Sequence, residues 1–191
     1  MKLLAIKDSI AKPLVALLPA GVTPNQLTIL RIICAVLVAA LLYTYHPGSA
    51  LLFFVIGMIT DLLDGTLARQ RMLETTFGRI MDPLADKLLF LIPFIILGFD
   101  GLWVALYLGV ILIEGITLFA GVLYPIMMQR LFHERRIIKA NAWGQYKFAL
   151  YSIGTILLFI PNALAITSAA ILFFGGLLFG YASIARTLAN R

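Results

Sequence analysis

Four carboxylates stand where a carboxylate is costly. Asp61 and Asp64 fall near the end of one long apolar run, and Asp82 and Asp86 near the start of the next. An aspartate at the centre of a membrane-spanning helix costs roughly 2.5–3.5 kcal/mol, less towards the interface, so four of them demand compensation. A cation is the obvious form of it. Positions 61, 64 and 68 share one helical face, as do 78, 82 and 86, so two helices can direct all four carboxylates into one space. Hard oxygen donors at that density suit Mg²⁺, Mn²⁺ or Ca²⁺. One such aspartate would be ordinary as a helix cap or a partner of Arg69, Arg71, Arg79 or Lys87. Four together, with Gly65 and Gly78 on the same faces, are not. Glycine removes side-chain bulk where a ligand approaches the backbone, although in membrane helices it also serves packing.

The elements that position these groups follow from composition. Of 191 residues 62% are hydrophobic, well beyond the share a soluble domain carries. A bilayer core of roughly 30 Å needs about 20 apolar residues per crossing, so the chain can supply six. Apolar runs between breakers place them near 24–45, 49–68, 78–98, 102–128, 146–160 and 164–187. The expected fold is all-α and integral to the membrane, a single domain over 1–191 with a six-helix bundle at 24–187. Tight turns at His46-Pro47-Gly48, Asp100-Gly101 and Pro161-Asn162 mark one face. The fifteen Lys and Arg residues are assigned to the N-terminal segment, the links near 69–79 and 129–147, the C-terminus and the adjoining helix ends. By the positive-inside rule both termini and both longer links then face the cytoplasm. The short connection from Arg69 to Phe77 makes the second and third spans antiparallel neighbours, so all four aspartates open at that same face.

Residues 1–20 form the remaining element. Leu3, Leu4, Ile6, Ile10, Leu14 and Leu17 make a helical stripe with Lys2, Lys7, Asp8 and Lys12 interleaved, the pattern of an amphipathic helix lying in the interface. The same mixture lacks the form of a cleaved signal. Cys34, the single cysteine, falls within an apolar run and reads as a small hydrophobe. The net charge of +6 fits this topology and attraction to anionic headgroups or a phosphorylated substrate, with no support for nucleic-acid binding. A short chain without a targeting extension points to a prokaryotic plasma membrane.

The stretch Asp61-Leu-Leu-Asp64-Gly65-Thr-Leu-Ala68-Arg69, eight further residues, then Gly78-Arg-Ile-Met-Asp82-Pro-Leu-Ala-Asp86 resembles the complete DxxDGxxAR and GxxxDxxxD motif of the CDP-alcohol phosphotransferases. The resemblance extends to the six-helix plan, the amphipathic first helix and Thr23-Pro24-Asn25-Gln26-Leu27-Thr28 opening the first span. It implies that Asp61, Asp64, Asp82 and Asp86 hold Mg²⁺ or Mn²⁺, two ions in all, and that Asp86 is also the general base. It implies a CDP-diacylglycerol donor whose diphosphate is neutralised by Arg69 and the metals. Gly65, Ala68 and Gly78 would let the nucleotide approach the backbone, Asn25 and Thr28 would face it, and Asp61 would also contact the CDP-lipid. An acceptor hydroxyl would attack the lipid-proximal phosphorus and release CMP.

The segment Asp82-Pro83-Leu84-Ala85-Asp86-Lys87 is similar to that of phosphatidylglycerophosphate synthases, which implies glycerol 3-phosphate as acceptor. Two positions depart from that branch: Gln145 replaces the first lysine of a GKxK pattern, and Ile113-Glu114 stands where an Arg-Glu pair is usual. Arg135, Arg136, Lys139 and Lys147 form a candidate site for the acceptor phosphate, against a purely topological role. Glu114 should face the bundle interior, bordering the acceptor or pairing with a neighbouring helix. Gly175, Gly176 and Gly180 fit close packing within the bundle or a homodimer face. Phosphatidylglycerol, inositol phosphate and serine remain alternative acceptors. A small ion transporter is the rival of another class, although it would need polar groups in the outer halves of the helices too.

Overall fold

A computed structural model of the chain describes Ser9 and residues 11–73, 75–101, 104–120, 124 and 142–189. Among them every regular element is helical: α1 (Pro24–Tyr43), α2 (Pro47–Arg71), α3 (Thr76–Gly101), α4 (Val104–Leu118), α5 (Ala142–Leu158) and α6 (Ala163–Ala189). Three stretches, Pro24–Tyr43, Pro47–Arg71 and Ala163–Ala185, are long and apolar enough to cross a bilayer, and Val104–Leu118 is a shorter apolar helix. The distribution of side chains is that of a protein in lipid. Large apolar residues point outwards, among them Ile33, Val36, Leu52, Leu112, Ile171 and Phe174, while Arg31, Asp64, Glu114 and Lys147 are buried. A water-soluble domain does the reverse.

The chain divides into two compact units, Met1–Ile96 and Leu97–Arg191. In the first, Thr23 caps α1 through a reciprocal pair: its hydroxyl accepts from the Gln26 N–H at 3.4 Å, and the Gln26 side chain accepts from the Thr23 N–H at 2.9 Å. Pro24 follows at the first helical position, where a missing N–H costs nothing. This start fixes the phase of the helix, so Leu27, Thr28, Arg31, Cys34, Ala35, Val38 and Leu42 fall on its buried face. Cys34 is thus a small apolar packing residue, as expected. Arg31 corrects the assignment of all cations to links and helix ends, for it is fully buried two turns inside α1.

Helix α2 ends at Arg71 because Met72 adopts the left-handed conformation at φ 51° and the Leu73 N–H returns to the Ala68 carbonyl at 3.1 Å. The Arg71 guanidinium donates to the carbonyls of Ala20 and Val22, both at 2.9 Å, tying the N-terminal segment to this end of α2. Residues 11–16 of that segment are helical. Val15 packs with Leu27, Leu63 and Leu67, whereas Leu14 and Leu17 of the expected apolar stripe point outwards. Leu3, Leu4, Ile6 and Ile10 lie outside the described residues. Helix α3 meets α2 closely: a Cβ added at Gly57 would lie 2.7 Å from the Leu89 methyl carbons. Pro83 and Pro93 interrupt the α3 hydrogen-bond ladder, and the first of them directly follows Asp82.

In the second unit Asn162 opens α6 by accepting from the Ala165 N–H at 2.7 Å. The α6 glycines serve packing within this unit. A Cβ at Gly176 would fall 2.2 Å from the Tyr151 ring, and one at Gly180 would fall 2.7 Å from Ile113. Small residues here let α5 and α4 side chains rest against the α6 backbone.

Candidate active site

The carboxylates of the first unit converge on a cation, and that cation is part of the chain. Arg31 Nη1 contacts Asp86 Oδ1 and lies 3.5 Å from Asp61 Oδ1, while Nη2 contacts Asp64 Oδ2. One guanidinium from α1 therefore bridges acids of α2 and α3, which the short Arg69–Phe77 connection brings side by side. Asp82, one turn before Asp86, has a different partner. The Thr28 hydroxyl donates to its Oδ1 at 2.6 Å. Thr28 and Arg31 sit one turn apart on the same face of α1, so the cap at Thr23 sets the height of both.

Beside this cluster lies a cleft of about 260 Å³ lined by Pro24, Asn25, Gly65, Ala68, Arg69, Leu73, Thr75, Gly78 and Asp82. Its size is somewhat under the roughly 300–1,000 Å³ of most ligand pockets, enough for a polar headgroup. At its floor Thr75 Oγ1 donates to Asn25 Oδ1 at 2.9 Å and accepts from the Gly78 N–H at 3.0 Å. A Cβ at Gly78 would stand 3.3 Å from both oxygens, so a side chain there would fill the floor. Five of the residues expected at a nucleotide site, Asn25, Gly65, Ala68, Arg69 and Gly78, thus share one cavity with Asp82, expected as a metal ligand. Thr28 and Asp61, also expected at the CDP-lipid, do not line it; the Thr28 hydroxyl is turned to Asp82 and Asp61 lies near the Arg31 guanidinium.

The donor set suits a hard divalent ion: four carboxylates on two neighbouring helices, three of them already gathered about a positive group. As they stand, the described residues include no three acidic, His or Cys side chains closed around a single ion. The Arg31 guanidinium lies among three of the carboxylates, and a metal held by Asp61, Asp64, Asp82 and Asp86 would require Asp61, Asp64 and Asp86 to turn from it.

The expected acceptor residues divide. Arg135, Arg136 and Lys139 lie outside the described residues. Lys147 belongs to the second unit, where its ammonium meets Glu114 Oε1 at 2.5 Å, donates to Thr117 Oγ1 at 3.4 Å and sits 5.8 Å from the centre of the Tyr151 ring. Glu114 therefore has a partner on a neighbouring helix, one of the two roles expected for it. The residue that sequence reasoning missed is Arg31. Its signal was the one that singled out the aspartates, a charge two turns inside an apolar helix, in phase with Thr28.

Helices apolar on their outer faces, enclosing acids beside a small polar cleft, define an integral membrane protein. The sequence model of CDP-alcohol phosphatidyltransferase matches residues 21–182, across both units, and the chain belongs to that family. Among curated proteins it is 33% identical over 146 residues to a CDP-diacylglycerol--glycerol-3-phosphate 3-phosphatidyltransferase of Cereibacter sphaeroides, covering 74% of this chain and 64% of the relative. Proteins of the same name from Rickettsia bellii and Escherichia coli are 44% identical over 69 residues and 39% identical over 88. Those matches cover 35% and 44% of this chain, and 38% and 48% of the relatives. The chain thus matches less than two thirds of the length of each.

Proposed function

We propose that this protein transfers a phosphatidyl group from CDP-diacylglycerol to glycerol 3-phosphate, releasing CMP and forming phosphatidylglycerophosphate for phospholipid synthesis. The observation that carries the reading is the cleft in which Asn25, Gly65, Ala68, Arg69, Gly78 and Asp82 meet beside three further carboxylates, in a chain of this family. The names of its relatives support the acceptor. In this reading the six helices all cross the membrane, residues 1–20 lie in the interface, and the cleft opens to the cytoplasm of a prokaryotic cell.

Each residue then has a definable task. Arg69 offers a guanidinium to the diphosphate, and Gly65, Ala68 and Gly78 leave space for cytidine against the backbone. Asn25 is positioned by Thr75 and orients the base or ribose. Asp61, Asp64, Asp82 and Asp86 would hold Mg²⁺ or Mn²⁺, which when bound neutralises charge on the attacking and leaving oxygens. Asp86 takes the proton of the acceptor hydroxyl as that oxygen forms its bond to the lipid-proximal phosphorus. The bond from that phosphorus to the bridging oxygen breaks, and its electron pair leaves with CMP.

One observation favours keeping other acceptors in view. Lys147 is held by Glu114, so an acceptor phosphate seeking that ammonium competes with a buried carboxylate. The test is CMP release by purified protein with CDP-diacylglycerol and Mg²⁺, comparing glycerol 3-phosphate with inositol phosphate, serine, phosphatidylglycerol and no acceptor. Release dependent on glycerol 3-phosphate supports the full reading. Release with another acceptor keeps the chemistry and replaces the substrate, and no release with any of them, from folded protein, overturns both.

A further inference from the structure

We propose that Arg31 is a resident counter-cation of the carboxylate cluster, holding the acids together before a divalent ion arrives and competing with that ion for Asp64 and Asp86. The inference rests on the reading of the cluster as a metal site and assigns a role to a residue outside it.

Arg31 is fully buried. An arginine cannot shed its proton in a protein, so the charge is permanent, and placing it inside an apolar bundle is tolerable only beside acids. The acids need it equally. Asp61, Asp64 and Asp86 all lie within ion-pair distance of its guanidinium, and its loss would raise their mutual repulsion until a metal bound.

Geometry explains why the cation is arginine. Two different nitrogens are used: Nη1 serves Asp86 on α3 and Asp61 on α2, and Nη2 serves Asp64 on α2. The fork thereby pins α2 to α3 at the depth of the site. A lysine presents one nitrogen and cannot span the same pair of helices.

The attachment is also releasable. Among the described residues Arg31 Nε is buried without a hydrogen-bond partner, and the guanidinium is held at its far end, by the same oxygens a metal would take. One guanidinium against four acids leaves the cluster with a surplus of negative charge. A divalent ion is therefore still attracted, but more weakly than if Arg31 were absent. The result is a protein that keeps its fold without metal and binds metal with tempered affinity.

The test uses full-length protein in detergent, purified with Mg²⁺ and then stripped, with Arg31→Gln and Arg31→Lys as variants. Mn²⁺ binding is followed by paramagnetic resonance, and thermal unfolding is measured in chelator and in saturating Mg²⁺. Arg31→Gln should bind Mn²⁺ about tenfold more tightly than the parent, because a full positive charge in contact with two ligands has gone. In chelator it should unfold at a lower temperature, with most of that gap closed by Mg²⁺. Arg31→Lys, which keeps the charge and loses the fork, should fall between the two. A purely structural role would not tighten metal binding, so unchanged or weaker Mn²⁺ affinity in both variants overturns the proposal, as does parental stability of Arg31→Gln in chelator. If Arg31→Gln cannot be recovered, Arg31→Lys decides alone. If the parent itself binds no Mn²⁺, the metal reading fails and this inference with it, an outcome distinct from parental binding that the variants do not tighten.

Discussion

Replacing Thr28 by Val tests whether the first helix tunes the carboxylate cluster or merely packs beside it. The side chain is 1% exposed, and its hydroxyl lies 2.6 Å from Asp82 Oδ1 and 3.2 Å from the Pro24 carbonyl. A hydroxyl has one proton to give, and the shorter contact to an ionised oxygen takes it. Valine keeps the branched shape and the helical rotamer, so the substitution removes this bond and little else. A hydrogen bond to a charged group contributes about 1.5–3 kcal/mol, which corresponds to roughly 10–150-fold in an equilibrium constant. If Asp82 holds metal, that loss falls on the loaded site. The Mg²⁺ concentration for half-maximal CMP release should rise about tenfold or more, in line with the 10–100-fold effects of removing partners behind metal ligands. Thr28→Ser, which restores the donor, should recover most of it. A Thr28→Val protein with parental Mg²⁺ dependence and parental kcat/KM would refute the reasoning and return Thr28 to packing.

Other outcomes follow from the same geometry. Asp86→Asn should abolish CMP release while CDP-diacylglycerol still binds, and retained turnover would remove Asp86 as the base. Gly78→Ala puts a methyl group 3.3 Å from Asn25 Oδ1 and Thr75 Oγ1 on the cleft floor, so KM for the CDP-lipid should rise about tenfold at a nearly unchanged melting temperature. An unaltered KM would take Gly78 out of the nucleotide site. Lys147→Met takes the ammonium away from buried Glu114 and should cost about 3–5 kcal/mol of stability, largely recovered by adding Glu114→Gln. Thermal unfolding of the single and double variants checks this, and a single variant with parental stability would mean the pair is solvated.

The acids were legible in the sequence because a charge in an apolar helix has a cost that must be met. The start of α1 near residue 24 was legible too, from the apolar run and the resemblance over Thr23 to Thr28, whereas the cap at Thr23 that brings Asn25 to the cleft and Thr28 to Asp82 came from the structure. Arg31 escaped because cations were sorted by the side of the membrane, a rule about links that says nothing of a guanidinium two turns inside a span. Lys147 was treated as part of a link for the same reason, whereas α5 begins at Ala142 and carries it into the interior. Its pairing with Glu114 joins positions 33 residues apart on different helices, and no local periodicity encodes such a partner. The two buried charge sets also differ in balance, and the difference bears on which of them awaits a ligand. Among the described residues Glu114 is matched with Lys147, one negative charge with one positive. Asp61, Asp64 and Asp86 share a single guanidinium, with Asp82 held by a neutral hydroxyl. Among the described residues the second set carries more acids than cations, an excess that a divalent cation would relieve, and it is the set that adjoins the cleft. In an apolar bundle, then, an unbalanced group of buried charges is the stronger indicator of a functional site than the presence of buried charge alone.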